Sequence, residues 1–457
     1  MQASPTPDLS IPRLASDLKG EVIAPDDAGY DEARTPFYGG FDRRPAVIVR
    51  PVDADEVAYV VNLARETGYE LAVRSGGHSI SAHSVVDGGI VLDLAGLRRI
   101  EIDAGNRTAW AETGLTAGEY TTAAAAHGLA TGFGDTGTVG IGGITLGGGV
   151  GLLVRKYGLT IDSLLAADVV TADGSKLRVD ADNHPDLFWA LRGGGGNFGV
   201  VTRFQYRLDP VDKVVGGMLM LPATADLITS FVDLAEEAPN GLSTIANVMT
   251  APPMPMIPAE HHGKMILMGL LAFTGPEAEG ETVVSRFRSL AEPLVDMLGT
   301  MPYPDLFPPE EMEFHPVAAS HNGFADRIGR EEAEAIVDHI ARSTAMMSVT
   351  QLRVLGGAVS QVPNDATAYA HRHRKIMTNV AAIFAQPEDA PPHAAWVESL
   401  SGALAQGDDE AYVNFVDDNA GNSGAAYPDE TLDRLRRVKA EYDPANLFHL
   451  NHNIVPA

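Results

Sequence analysis

Arg74-Ser75-Gly76-Gly77-His78-Ser79 and the run GTVGIGGITLGGGVG at residues 137–151 are the two stretches that decide this fold. The first places a histidine directly after two glycines, and the second is dense in glycine. Glycine within regular structure costs about 0.5–1 kcal/mol relative to alanine, so this density needs a reason. Backbone N–H groups that no Cβ obstructs are suited to phosphates or to a ring edge. The two stretches therefore predict loops that approach a bound ligand closely.

The residues around the first stretch alternate between strand and helix patterns. Residues 46–50, 71–74 and 89–94 are apolar runs typical of strands. Between the first two runs, residues 55–67 carry apolar side chains at helical spacing and end at Gly68. A β-α-β unit implies parallel strands with a right-handed crossover. The histidine loop then lies at the carboxyl end of its strand, where open α/β sheets bind ligands.

The rest of the chain mixes the two kinds of pattern. Residues 116–127 read as a helix, and 167–179 read as a hairpin that turns at Asp173-Gly174. Beyond residue 212 glycine becomes sparse and strands alternate with longer helices. In that region strand patterns lie at 216–221, 264–273 and 351–355, and helix patterns at 276–298 and 331–343.

The final part of the chain reads as a strand at 411–415 and a helix at 429–442. We therefore expect an α+β protein in three parts. These are a first domain over 1–212, a second domain over 213–409, and a C-terminal segment over 410–457.

Composition restricts the partners. The chain has 33 Lys and Arg against 61 Asp and Glu, a formal net charge of −28. So acidic a surface repels nucleic acids and anionic membranes, and we expect neither as a partner. The absence of cysteine excludes disulfides, thiolate catalysis and cysteine-ligated metals. The sequence has no leader pattern and no run of 18 apolar residues, so we expect a cytoplasmic location.

Taken together, these motifs resemble the FAD-binding domain of the vanillyl-alcohol oxidase superfamily, in its berberine-bridge-enzyme-like branch. The resemblance covers most of 40–210 and 410–457, including the closing motif YDPANLFHLNHNI at 442–454. It implies a PCMH-type FAD-binding domain in two subdomains, to which 410–457 returns. It also implies a substrate domain over 213–409 with an antiparallel sheet flanked by helices, and FAD as the cofactor.

The resemblance assigns His78 as the point of a single covalent bond to the flavin. Many relatives form a second bond through a cysteine, where this chain has Thr136. A bicovalent flavin is therefore impossible here, and the pattern is similar to bacterial 6-hydroxynicotine-oxidase-like members. The cofactor-binding residues that the resemblance implies are Arg74, Ser75, Gly76, Gly77, His78, Ser79, Thr136, Gly137, Thr138, Val139, Gly140, Gly142, Gly143, Gly149, Gly199, Val201, Asn451 and Asn453.

Two residues are expected to act in catalysis. Val139 occupies the family's oxygen-gate position, where valine is associated with oxidases. Tyr412 lines the substrate pocket in the motif Tyr412-Val413-Asn414-Phe415. Plant relatives and sugar oxidases often carry a second tyrosine as the base where this chain has Phe415, which accepts no proton. An alcohol needs such a base and a neutral amine does not, so amines or aromatic intermediates are favoured over sugars.

The resulting hypothesis is an FAD-dependent oxidase that takes hydride from a small organic substrate and passes electrons to oxygen, which gives hydrogen peroxide. The sequence leaves three alternatives open: a flavin-N5-oxide oxygenase, a dehydrogenase poorly reactive with oxygen, and a flavin-fold binding protein without turnover. A Rossmann site is not favoured, because no acidic residue follows the glycines at the required place. No metal site is expected, since His261-His262 and His371-Arg372-His373 lack a third ligand at a recognisable spacing.

Overall fold

The computed structural model describes residues 9–253, 255, 257–307, 315–407, 410–417 and 423–457. Its strands are β1 (Glu21–Ile23), β2 (Val47–Arg50), β3 (Leu71–Arg74), β4 (Ile90–Asp93), β5 (Ile100–Asp103), β6 (Thr108–Glu112), β7 (Leu129–Ala130), β8 (Leu164–Val170), β9 (Lys176–Asp180), β10 (Val200–Arg207), β11 (Asp209–Pro210), β12 (Lys213–Pro222), β13 (Leu242–Thr250), β14 (Met265–Phe273), β15 (Val295–Asp296), β16 (Gly299–Pro302), β17 (Val317–Ala325), β18 (Met347–Val354) and β19 (Ile376–Phe384). Its helices are α1 (Ile11–Asp17), α2 (Tyr30–Arg34), α3 (Ala54–Thr67), α4 (Ala117–Ala125), α5 (Ile141–Gly147), α6 (Val154–Tyr157), α7 (Pro185–Leu191), α8 (Ala225–Glu237), α9 (Glu277–Arg288), α10 (Arg330–Arg342), α11 (Ala358–Gln361), α12 (Ala390–Leu404) and α13 (Asp429–Tyr442).

The predicted β-α-β unit forms the first sheet, in the order β1-β2-β4-β3. Strands β2, β4 and β3 pair in parallel, and β1 adds an antiparallel edge. Helix α3 begins where the Asp53 carboxylate accepts the N–H groups of Asp55 and Glu56, and it ends at Gly68 with φ of +74°. Strand β3 leads directly into the loop that carries His78, so the sheet sets the position of that loop.

A second sheet, in the order β5-β6-β10-β8-β9, is antiparallel throughout and contains the predicted Asp-Gly hairpin as β8–β9. The third sheet follows the order β15-β12-β14-β13-β18-β19-β17, and β16 pairs with β12. Helices α8, α9, α10 and α12 pack on one face of this large sheet around a core that includes Phe231, Phe287 and Ile336. The expected α+β fold, with an antiparallel sheet flanked by helices, is confirmed.

Two predicted elements are wrong. The helix expected at 276–298 ends at Arg288, and Val295–Asp296 instead pairs with β12. Residues 411–415 are not a strand but contain a 3₁₀ turn at Val413–Phe415. The N–H of Tyr412 is bound by the Asn322 side chain at 2.6 Å, so this segment is held by a side chain rather than by a strand ladder. The boundaries at 212/213 and 409/410 stay a prediction.

A buried ion pair anchors the last helix. Lys439 and Asp443 are both fully buried, and Lys439 Nζ lies 2.6 Å from Asp443 Oδ2. The ammonium also donates to the carbonyls of Asn197 and Phe448, at 2.7 and 3.0 Å. The same carboxylate accepts the N–H groups of Leu447 and Phe448. The segment after α13 is thereby tied to the glycine-rich turn before β10. Among the described residues, no helix combines the length and apolarity needed to cross a bilayer.

Replacing Asp443 by alanine should lower the free energy of unfolding by about 3–5 kcal/mol, because it leaves the Lys439 charge buried and unpaired. Urea denaturation followed by circular dichroism measures this loss. Asp338→Ala is the matched control, since Asp338 pairs with Arg342 on the exposed face of α10 and should change stability little. Equal effects of the two substitutions would contradict the prediction.

Candidate active site

A cavity of about 570 Å³ is lined jointly by the glycine-rich loops, by the large sheet and by the C-terminal segment. Its volume falls in the range of small-molecule and cofactor sites, ~300–1,000 Å³. Most of the residues expected at the site line it. They are Ser75, Gly76, Gly77, His78, Ser79, Thr136, Val139, Gly140, Gly142, Gly143, Gly199, Val201, Tyr412 and Asn451.

Five of the expected residues lie outside the lining: Arg74, Gly137, Thr138, Gly149 and Asn453. The Arg74 guanidinium donates to the carbonyls of Ala33 and Thr35 and therefore does not present its charge to the cavity. Thr138 and Gly149 act through neighbours that do line the cavity, as described below. Asn453 is exposed to solvent.

Close contact between two backbone segments explains much of the glycine density. A Cβ on Gly76 would lie 2.2 Å from the Gly140 nitrogen, and one on Gly140 would lie 2.3 Å from the Gly76 nitrogen. A Cβ on Gly142 would lie 2.9 Å from the Ser75 side chain. These glycines therefore let the histidine loop and the glycine run touch each other. This packing role is a different reason from the ligand contact that the sequence suggested.

Two other glycines face open space. A Cβ on Gly143 or Gly196 would have no atom within 4 Å, and both residues line the cavity. Side chains at these positions would fill the cavity, so their absence leaves backbone accessible to a bound molecule. Polar atoms in the lining also favour a bound molecule. The buried side-chain oxygens of Ser84 and Asn451 lack a hydrogen-bond partner within the described chain. The residues present therefore fit an enclosed polar cofactor.

His78 is held in a defined orientation and protonation state. Its ring stacks on Phe37 with centroids 4.2 Å apart, and Thr138 Oγ1 lies 3.0 Å from Nε2. Burial lowers the pKa of His78 to about 4, a hydrogen bond with the Thr138 backbone opposes the shift only in part, and the Arg74 charge adds to it. The imidazole is therefore neutral at pH 7.

Part of the cavity wall belongs to the large sheet and carries polar residues to which the sequence assigned no role. Arg353 of β18 donates from Nη2 to Asp135 Oδ2 at 2.9 Å and from Nε to Gln351 Oε1 at 2.8 Å. On β19, Asn379 presents a buried Oδ1 that has no partner within the described chain. The period-2 alternation of a strand places Gln351 and Arg353 on one face, and that spacing was the available signal.

Tyr412 is buried in the cavity wall, and its hydroxyl connects two neighbouring segments by hydrogen bonds. Its hydroxyl accepts the N–H of Gly149 at 2.9 Å and an N–H of Asn414 Nδ2 at 2.8 Å. Burial raises the pKa of Tyr412, so its phenol is poorly suited to remove a proton at neutral pH. Tyr38, a further lining residue, behaves likewise, since burial, reinforced by Asp135 and Asp417, raises its pKa to about 12.

Comparison with known proteins agrees with this geometry. Residues 45–180 match the family model of the FAD binding domain, and residues 411–455 match the model described as berberine and berberine like. The (R)-6-hydroxynicotine oxidase of Paenarthrobacter nicotinovorans is 31% identical over 463 residues, which are 96% of this chain and 97% of that protein.

Solved structures share the fold. The structure of 6-hydroxy-D-nicotine oxidase from Arthrobacter nicotinovorans has a TM-score of 0.84 and 28% identity, covering 96% of this chain and 98% of that chain. The glucooligosaccharide oxidase from Acremonium strictum, which carries a 6-S-cysteinyl, 8α-N1-histidyl FAD, has a TM-score of 0.85 and 23% identity. The second match covers 98% of this chain and 100% of that chain.

Substitution by alanine should affect stability differently at a glycine packed against backbone and at a glycine that faces open space. Gly140→Ala forces a Cβ into the Gly76 backbone and should cost about 1–3 kcal/mol or more of stability, seen as a lower thermal midpoint. Gly143→Ala places the same methyl group where it contacts no other part of the chain, and should lower the midpoint much less than Gly140→Ala. Thermal unfolding of both variants followed by circular dichroism checks this. Equal destabilisation by the two would contradict the assignment.

Proposed function

Because the chain belongs to the berberine-bridge-enzyme-like family of FAD-linked oxidoreductases, we propose that it is an oxidase with one covalent FAD on His78. Its substrate is a small amine or aromatic intermediate, and its final electron acceptor is molecular oxygen, which becomes hydrogen peroxide. FAD supplies the hydride-accepting ring. The chain's residues enclose the cofactor and orient the substrate.

The environment of His78 carries the covalent part of the proposal. A nucleophilic nitrogen must be unprotonated, and burial keeps this imidazole neutral at pH 7. Thr138 Oγ1 lies 3.0 Å from Nε2, and stacking on Phe37 limits rotation of the ring, so the imidazole has one defined orientation. The glucooligosaccharide oxidase uses a cysteine for its second link. This chain has no cysteine, so only the histidyl link is open to it.

The substrate preference rests on the aromatic residues of the cavity lining, because Phe415 replaces the tyrosine that relatives use as a base. Oxidation of an alcohol requires a base for the hydroxyl proton, whereas a neutral amine releases hydride without one. Among the described lining residues, Tyr412 and Tyr38 have raised pKa values, and Phe415 stands where relatives place a tyrosine. The unpartnered Oδ1 of Asn379 is suited to accept a hydrogen bond from a substrate N–H. The relative named for 6-hydroxynicotine oxidation is compatible with such a substrate class.

Acid precipitation tests the covalent flavin directly. Purified protein is precipitated, the pellet is washed, and its visible spectrum is recorded. The wild-type pellet should stay yellow, and the His78→Ala pellet should be colourless because the linking nitrogen is gone. His127→Ala is the control, since His127 lies outside the cavity lining. Flavin in the wild-type supernatant would contradict the covalent link, and no flavin in either fraction would contradict the cofactor assignment.

Val139 is half-buried in the cavity wall, and Val139→Ile should obstruct oxygen there. Reoxidation of the reduced flavin by oxygen should slow by about tenfold, a barrier increase of ~1.4 kcal/mol, while anaerobic reduction by substrate stays unchanged. Stopped-flow spectroscopy separates the two half-reactions. Val349→Ile introduces the same methylene group on the sheet side of the cavity and should leave reoxidation unchanged. Unaltered reoxidation in Val139→Ile would contradict the oxygen-gate role.

A further inference from the structure

Among the described residues of the cavity wall, the side chains of formal charge are few and form one pair. Apart from the histidines His78, His83 and His452, the ionisable side chains with a formal charge in the described lining are Asp135 and Arg353. Arg353 Nη2 lies 2.9 Å from Asp135 Oδ2. The guanidinium comes from the large sheet, and the carboxylate comes from the loop next to Thr136, so the pair joins two separate segments of the cavity wall.

Arg353 is fixed by contacts on several sides. Its Nε donates to Gln351 Oε1 at 2.8 Å, its Nη1 donates to the Val150 carbonyl at 3.4 Å, and its guanidinium lies 5.3 Å from the centre of the Phe415 ring. Only 5% of its side chain is exposed, against 19% for Asp135. The carboxylate is therefore the more accessible half of the pair.

This arrangement has an electrostatic consequence. Charge–charge interactions are strong where water is largely excluded. An anionic group that approaches Arg353 also approaches the Asp135 carboxylate, which repels it. A neutral or cationic group meets acceptors, namely Asp135 and the unpartnered Oδ1 of Asn379. The wall therefore opposes anions even though it contains an arginine.

We propose that Asp135 is a specificity-determining residue, which cancels the charge of Arg353 and makes the substrate end of the cavity select neutral or cationic ligands over anionic ones. This inference rests on the proposed function, since it treats the cavity as a substrate site. It narrows the substrate class to compounds without a carboxylate or phosphate near the reacting group.

Isothermal titration calorimetry of the holoenzyme tests the proposal with three benzene derivatives of similar size and different charge: benzylamine, benzyl alcohol and benzoate. The wild type should bind benzoate most weakly. In Asp135→Asn, benzoate should bind at least about tenfold more tightly, because the Arg353 charge is released, and benzyl alcohol should change less than about threefold. Benzylamine should lose affinity.

Variants at Arg353 provide a second test, so the conclusion does not depend on the Asp135→Asn variant alone. Arg353→Met removes the cation and should increase the affinity for benzylamine by about tenfold, without increasing the affinity for benzoate. In the double variant Asp135→Asn/Arg353→Met, the gain for benzoate should vanish, since no guanidinium remains to be released. Asp338→Asn makes the same change in net charge on the exposed face of α10 and should leave all three affinities unchanged.

The proposal is overturned if Asp135→Asn leaves the benzoate affinity unaltered, or if the double variant keeps the gain. If Asp135→Asn does not fold, unchanged selectivity in Arg353→Met overturns it instead. The titration requires no turnover, so its result is separate from the oxidase assignment. The oxidase assignment is tested by acid precipitation and by flavin reoxidation, so either proposal can fail while the other stands.

Discussion

The close approach of Gly76 to Gly140 is the constraint on which the rest of the site depends. Each nitrogen occupies the place where a Cβ of the other residue would lie, so the histidine loop and the glycine run can meet only as bare backbone. Ser75 secures the contact, because its hydroxyl donates to the Thr113 carbonyl at 2.7 Å and accepts the N–H of Gly142 at 3.2 Å. The orientation of His78 follows from this packing, since Thr138, its hydrogen-bond partner, lies two residues before Gly140.

The two faces of the large sheet have different roles: one packs in the apolar core and the other lines the cavity. Along β18, Leu352 and Val354 face the helices and belong to the apolar core, while Gln351 and Arg353 face the cavity. The face that packs on the helices buries its apolar side chains whether or not a ligand is bound. The cavity side is therefore free to carry polar groups, and the cost of burying them is offset by hydrogen bonds among themselves, such as the one from Gln351 to Asn247 at 2.9 Å.

Local signals in the sequence predicted the parts of the fold that depend on near neighbours. The β-α-β unit, the hairpin β8–β9 and helix α13 follow from periodicity and turn residues, and the resemblance placed His78 in a cavity that the structure contains. Contacts between distant segments were not predictable in this way. Arg74 was expected to bind the cofactor but donates to α2 and the residue after it. The pairing of Asp135 with Arg353 joins residues 218 positions apart, and no local pattern marks it.

The hydrogen bond from Asn414 to the Ile144 carbonyl spans 270 positions in the chain. The loops that carry His78 and the glycine run are thus synthesised long before the residues that close the cavity over them. At ~5–20 residues per second, this interval lasts roughly 15–50 s on the ribosome. During it the cavity is open on the side that Tyr412 and Phe415 later occupy. Enclosure of a cofactor is therefore a late event in the biogenesis of this protein, and its timing is set by the order of the segments along the chain.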